Sequence, residues 1–126
     1  MYKIKVELGF SSAHNLRGYK GKCEELHGHN WKVEVEVGSK KLDKTGMVMD
    51  FTYLKDKLKK VLEPMDHKYL NKIPYFKKVN PTSENIAKYI FDKLSTSLSV
   101  GNLKGLNILE VTVWESDKAR ATYYEG

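Results

Sequence analysis

Tyr2-Lys3-Ile4-Lys5-Val6-Glu7-Leu8-Gly9-Phe10 puts an apolar side chain at every even position and a polar residue or glycine at every odd one. A period of two over that length is the signature of a half-buried β-strand. Trp31-Lys32-Val33-Glu34-Val35-Glu36-Val37 repeats the pattern, and Gly38 is expected to end this second strand before a turn region from Ser39 to Gly46. Between the two strands, residues 15 to 26 are polar and carry Gly18 and Gly21, so they read as a loop.

From Asp50 the period changes. Phe51, Leu54, Leu58, Val61 and Leu62 recur at helical spacing with lysines opposite, Asp50 is a suitable N-cap, and Pro64 stops the helix. Residues 66 to 81 read as irregular. A second helix is expected from Thr82 or Ser83, with Ile86, Ala87, Ile90, Phe91, Leu94 and Leu98 as its stripe and Gly101 and Gly105 at its exit. Strands follow at 106 to 115 and 119 to 124. The order ββααββ predicts an α+β fold, with two helices on one face of an antiparallel sheet.

The 126 residues fit one domain spanning 1–126, and area scaling lets such a chain bury about 65–70% of its unfolded surface. With 40% hydrophobic and 30% charged residues it is neither disordered nor a membrane protein. Lysines at Lys3 and Lys5 occupy the place a signal peptide would make apolar. The single cysteine, Cys23, excludes an intrachain disulfide and suits a reducing compartment, so a cytoplasmic location is expected. The net charge of +6 admits an anionic partner, but the lysines are scattered and do not interleave with aromatics, which argues for a solvated surface over a nucleic-acid footprint.

The chemistry gathers around histidines. If the first strand runs past Phe10, Ser12 and His14 share the face of its apolar residues. His27 and His29 share that of Trp31, Val33 and Val35. Antiparallel pairing of these consecutive strands then brings His14, His27 and His29 together. Three neutral imidazoles suit a catalytic zinc ion with an open position, a choice of metal that rests on ligand type. Cys23, four residues before His27, reads as a general base or nucleophile, with a fourth metal ligand or an inert buried thiol as alternatives. The adjacent Asp66-His67 can form a proton relay or a plain loop hydrogen bond. Glu115 shares the parity of Val111 and Val113, and is either a strand-end surface group or a carboxylate aimed into a cleft.

Phe10-Ser11-Ser12-Ala13-His14, Cys23-Glu24-Glu25-Leu26-His27-Gly28-His29, Met49-Asp50-Phe51, Asp66-His67-Lys68-Tyr69-Leu70-Asn71, Pro81-Thr82-Ser83-Glu84-Asn85 and Glu115-Ser116 occur in that order. Together they resemble the 6-pyruvoyl-tetrahydropterin synthase and 6-carboxy-tetrahydropterin synthase superfamily, nearly end to end. The resemblance implies a tunnelling fold in which three four-stranded sheets close a twelve-stranded barrel and two rings stack into a hexamer. It implies zinc on His14, His27 and His29. It implies a proton-transfer set of Cys23, Asp66 and His67, with Cys23 and the Asp66-His67 pair from neighbouring subunits. Glu115 would anchor the guanidine-like edge of a pterin, with Thr82 and Ser83 adding polar contacts.

The implied substrate is 7,8-dihydroneopterin triphosphate. The compact chain resembles the microbial branch that makes 6-carboxy-tetrahydropterin for 7-deazaguanine synthesis of the queuosine type. The alternatives are 6-pyruvoyl-tetrahydropterin, or side-chain cleavage to 6-hydroxymethyl-dihydropterin using Glu24, which can also be an ordinary loop acid. Ser12 and Ser116 stand where alanine and threonine are frequent in the family. From other classes, a zinc-stabilised nucleic-acid-binding module leaves Asp66, His67 and Glu115 without work, and a zinc hydrolase would turn over esters or amides without Cys23.

Overall fold

The computed structural model describes residues 1–19, 24–100 and 106–126, with 99 and 100 described by backbone alone. Cys23 and the expected exit glycines Gly101 and Gly105 lie outside the described residues. The chain runs β1 (Tyr2–His14), β2 (His27–Ser39), α1 (Phe51–Leu62), α2 (Ser83–Val100), β3 (Leu106–Ser116) and β4 (Ala119–Tyr124). The four strands form one antiparallel sheet in sequence order, β1-β2-β3-β4. Both helices pack on one face of it, so the α+β architecture and the ββααββ order are as the sequence indicates.

The core lies between that face and the helices. Val6, Phe10, Trp31, Val33, Val35, Val37, Val111 and Val113 fill it from the sheet. Leu54, Leu58 and Leu62 come from α1, and the whole stripe from Ile86 to Leu98 comes from α2. Asp50 caps α1 by accepting from the Thr52 N–H at 2.8 Å. Thr82 caps α2 by accepting from the Asn85 N–H at 3.1 Å.

Three readings need correction. Phe51 does not join the α1 stripe: its side chain is exposed beside Tyr2, Leu42 and Met47, because the helix begins at the rim of the sheet. Gly38 does not end β2, which continues to Ser39; it pairs with Lys3, and a Cβ there would stand 2.8 Å from Leu109 Cδ1. Leu109 is the extra residue of a β-bulge, opposite the Glu36/Val37 step. The stretch 66 to 81 is less irregular than it reads, since 3₁₀ turns occupy Leu70–Lys72 and Pro74–Lys77. A third, Glu63–Met65, carries Pro64 at the end of α1.

The segment after α1 returns along the outer edge of β1. Ala13 N–H donates to the Lys68 carbonyl at 3.0 Å, and His67 N–H donates to the Ser11 carbonyl at 2.6 Å. A parallel bridge joins Ala13 to Tyr69. This short strip covers the His14 end of the edge strand, while the Tyr2 end has no such cover among the described residues.

Candidate metal centre and its surroundings

Register builds the centre. β1 runs on past Phe10, and the antiparallel ladder sets His14 opposite His27 and Ser12 opposite His29. Side chains two apart share a face, so the three imidazoles meet. Their ring centroids are 4.6, 5.1 and 4.8 Å apart, each pair edge-on. Trp31 forms the floor, 4.9 Å from His14 and 5.1 Å from His29. It is stacked on Phe10, and its Nε1–H is held by the Ser12 carbonyl at 3.2 Å.

The hydrogen bonds decide what the cluster can do. His14 Nδ1 lies 2.8 Å from the Pro81 carbonyl, and His27 Nδ1 lies 2.9 Å from the Glu25 carbonyl. A carbonyl only accepts, so both Nδ1 atoms carry their hydrogens, and in the neutral rings both Nε2 atoms are bare lone pairs. Those two Nε2 atoms face each other at 3.0 Å. Two lone pairs at that distance repel unless a cation lies between them. His29 Nε2 is buried and has no hydrogen-bond partner; Glu115 Oε1 is 2.9 Å away, but not in hydrogen-bond geometry. Burial is the main cause that pushes the His14 pKa down, which favours the neutral imidazole that binds metal.

One ligand atom each from His14, His27, His29 and Glu115 falls within 4.8 Å of the others. This donor set fits a divalent metal. The backbone carbonyls of Pro81 and Glu25 are the outer partners that fix imidazole tautomers in metal sites. Sequence reasoning placed the three histidines together but left Glu115 undecided. It sits at a register shift between Trp114 and Ser116, with its Oε1 2.9 Å from His29 Nε2. The role of Pro81 is a backbone role, for which side-chain identity gives no signal.

Asp66 and His67 form a pair outside this cluster. Asp66 Oδ2 lies 3.1 Å from His67 Nδ1, while Asp66 Oδ1 accepts from the Ser11 N–H at 2.8 Å. That backbone donor is the first cause holding the Asp66 carboxyl below its ordinary range. His67 has a φ of 55°, the only non-glycine residue with a positive φ among those described, and its side chain is 81% exposed. Holding an L-residue in this left-handed region costs about 1–2 kcal/mol, and such positions gather at functional sites.

Glu24 lies beside the histidine cluster. Its Oε1 is buried without a hydrogen-bond partner, 3.7 Å from His27 Nδ1. Its backbone is fixed: the N–H donates to the Leu16 carbonyl at 2.9 Å, and the carbonyl accepts from Asn15 Nδ2 at 3.2 Å. Asn71, which the sequence reading did not single out, uses its whole amide on Asn15, accepting from its N–H at 3.0 Å and donating to its carbonyl at 2.8 Å. Thr82 Oγ1 accepts from the Asn85 N–H in the α2 cap, and Ser83 is half-buried in the first turn of that helix. Both follow Pro81 directly, and so lie near His14.

Comparison with known proteins agrees with this architecture. The family model for 6-pyruvoyl tetrahydropterin synthase matches residues 3–126. A Haemophilus influenzae protein named 6-carboxy-5,6,7,8-tetrahydropterin synthase is 34% identical, over 99% of this chain and 100% of its own length. The human 6-pyruvoyl tetrahydrobiopterin synthase is 40% identical, over 96% of this chain and 90% of its own. The structure of Caenorhabditis elegans 6-pyruvoyl tetrahydropterin synthase superposes with a TM-score of 0.82 at 31% identity, covering 99% of this chain and 96% of that one. Matched over nearly all of its length in sequence and in fold, the chain belongs to the 6-pyruvoyl tetrahydropterin synthase family.

Proposed function

We propose that this chain is a zinc-dependent 6-carboxy-5,6,7,8-tetrahydropterin synthase that acts on 7,8-dihydroneopterin triphosphate, in a 7-deazaguanine pathway of the queuosine type. The observation that carries the reading is the convergence of three imidazoles whose Nδ1 atoms face carbonyls, or whose Nε2 has no hydrogen-bond partner. Relatives named for this product support it, while others are named for the pyruvoyl product. His14, His27 and His29 would hold the zinc, with Glu115 in reach. Bound there, the metal supplies a Lewis acid for the oxygens of the substrate side chain.

The chain's own groups do the rest. Pro81 and Glu25 keep two rings in the ligating tautomer, and Trp31 closes the site from below. Cys23 is the general base. Asp66 orients His67 through Nδ1, which leaves Nε2 of an exposed ring to exchange a proton with a group outside its own chain. Glu115 accepts N–H donors from the guanidine-like edge of the pterin, and Thr82 and Ser83 add polar contacts.

The exposure of His67 supports a site completed between subunits. β1 from Tyr2 to Gly9 and β4 from Ala119 to Tyr124 are the two edges of the sheet, and pairing them between copies would remove both. We take the assembly to be a three-subunit barrel, doubled into a hexamer, of single-domain chains in the cytoplasm. Among the described residues, no helix is long and apolar enough to cross a membrane. The buried, unpartnered Glu24 Oε1 favours one second reading, side-chain cleavage to 6-hydroxymethyl-dihydropterin with Glu24 as the base.

Zinc-loaded protein incubated with 7,8-dihydroneopterin triphosphate, with products read by mass spectrometry, tests this. A carboxy product is expected. A 6-hydroxymethyl product would replace the reading with the Glu24 chemistry, and no turnover by a zinc-bound oligomer would overturn the substrate.

A further inference from the structure

The Asp66-His67 pair is held against β1 mainly by backbone. His67 N–H donates to Ser11 C=O, Ala13 N–H donates to Lys68 C=O, and Ser11 N–H donates to the Asp66 carboxylate. These bonds survive most substitutions in β1. One side chain of the strand joins them. The Ser12 hydroxyl donates to the Met65 carbonyl and accepts from the Lys68 N–H at 3.3 Å. Met65 and Lys68 flank the pair, so a single oxygen bridges both ends of a turn whose middle residue, His67, sits at φ 55°.

Ser12 is 6% exposed, lies on the core face between Phe10 and His14, and has no place in the metal cluster. Its parity would otherwise call for an apolar residue. A buried hydroxyl that uses both its donor and its acceptor on one distant segment is a fixing device.

We infer that Ser12 is a positioning residue for His67, its hydroxyl clamping the left-handed turn so that the imidazole keeps one orientation. This rests on the reading of His67 as the proton-relay group. Loss of the clamp leaves the pair attached by backbone on one side but frees the turn to rock. A displacement of the order of 1 Å in a catalytic group can cost about a hundredfold in rate, and with the backbone bonds retained a loss of about tenfold is expected for Ser12→Ala.

The test uses the metal-loaded oligomer and compares wild type, Ser12→Ala, Ser12→Thr and His67→Ala. For Ser12→Ala the expected results are a kcat down about tenfold, an unchanged KM, wild-type metal content and faster hydrogen exchange at the His67 and Lys68 amides. Ser12→Thr, which restores a hydroxyl on a β-branched residue suited to a strand, is expected to recover kcat and amide protection. Wild-type kcat and amide protection in Ser12→Ala overturn the inference. So does a lost kcat that tracks lost metal, because Ser12 would then act on His14. If His67→Ala turns over like wild type, the relay reading itself fails, and amide exchange still decides whether the clamp exists.

Discussion

Replacing His14 with alanine separates the metal function of the cluster from its place in the fold. His14 is the most enclosed of the three imidazoles, 2% exposed, and its Nε2 is 3.0 Å from that of His27. Apparent binding energies for structural zinc with four protein ligands are about 10–16 kcal/mol, so one ligand carries about 3–4 kcal/mol, or about 10²–10³ in affinity. The same substitution deprives the Pro81 carbonyl of its donor, which costs the metal-free fold about 1–3 kcal/mol. Competition against a chromophoric zinc chelator at neutral pH reads the first effect, and urea melts of metal-free protein read the second. His67→Ala is the control: an exposed ring paired with Asp66 should leave zinc affinity unchanged. Zinc affinity of His14→Ala within about threefold of wild type would refute the argument from facing lone pairs, since only ~0.6 kcal/mol would then be missing.

His67→Gly relieves the left-handed backbone, worth about 1–2 kcal/mol, against about 0.5–1 kcal/mol of extra unfolded-state entropy, so its melting curve should stay within about 1 kcal/mol of wild type while turnover is lost. A destabilisation above about 2 kcal/mol would mean that the ring does structural work instead. On the outer face of the sheet, burial first and then the Glu36 charge opposite push the Glu110 carboxyl above its ordinary value, against the opposing pull of Lys5 and Lys3. A carboxyl raised in the folded state stabilises the fold at low pH and loses that contribution as pH rises from its unfolded value through its folded one. Glu110→Gln should therefore melt higher than wild type at pH about 8, with the difference vanishing by pH about 4, and the opposite trend would place the strain elsewhere.

The sequence makes the histidine cluster legible because a strand has one period and one parity. Once Tyr2 to Phe10 alternates, Ser12 and His14 must share the buried face, and the ladder turns that into His14 opposite His27. Glu115 was legible by parity but not by environment, since periodicity does not say that a strand-end carboxylate comes within 2.9 Å of His29. Phe51 failed for the reverse reason: helical spacing counts it into the stripe, but as the first residue of α1 its ring stays exposed beside Tyr2, Leu42 and Met47. The contacts of Asp66 and His67 with β1 join residues more than fifty positions apart through backbone groups and one serine. Nothing in local periodicity reports such a pairing.

The histidine cluster and the Asp66-His67 pair lie on the two sides of one edge strand. The even residues of β1 send side chains inward, where His14 joins the metal cluster and Ser12 reaches the turn. The odd residues point their backbone groups outward, where Ser11 and Ala13 pair with residues 66 to 68. An ordinary edge would leave those groups free to bind another strand. Here residues 65 to 69 occupy the edge at Ser11 to Ala13 and leave Tyr2 to Gly9 as the stretch where another chain can add a strand. The strip that holds His67 therefore also limits the register of any neighbour. If copies pair along this edge as proposed, the exposed imidazole stands just past the point where that pairing would stop, which is where a residue serving a neighbour's histidine cluster would have to stand.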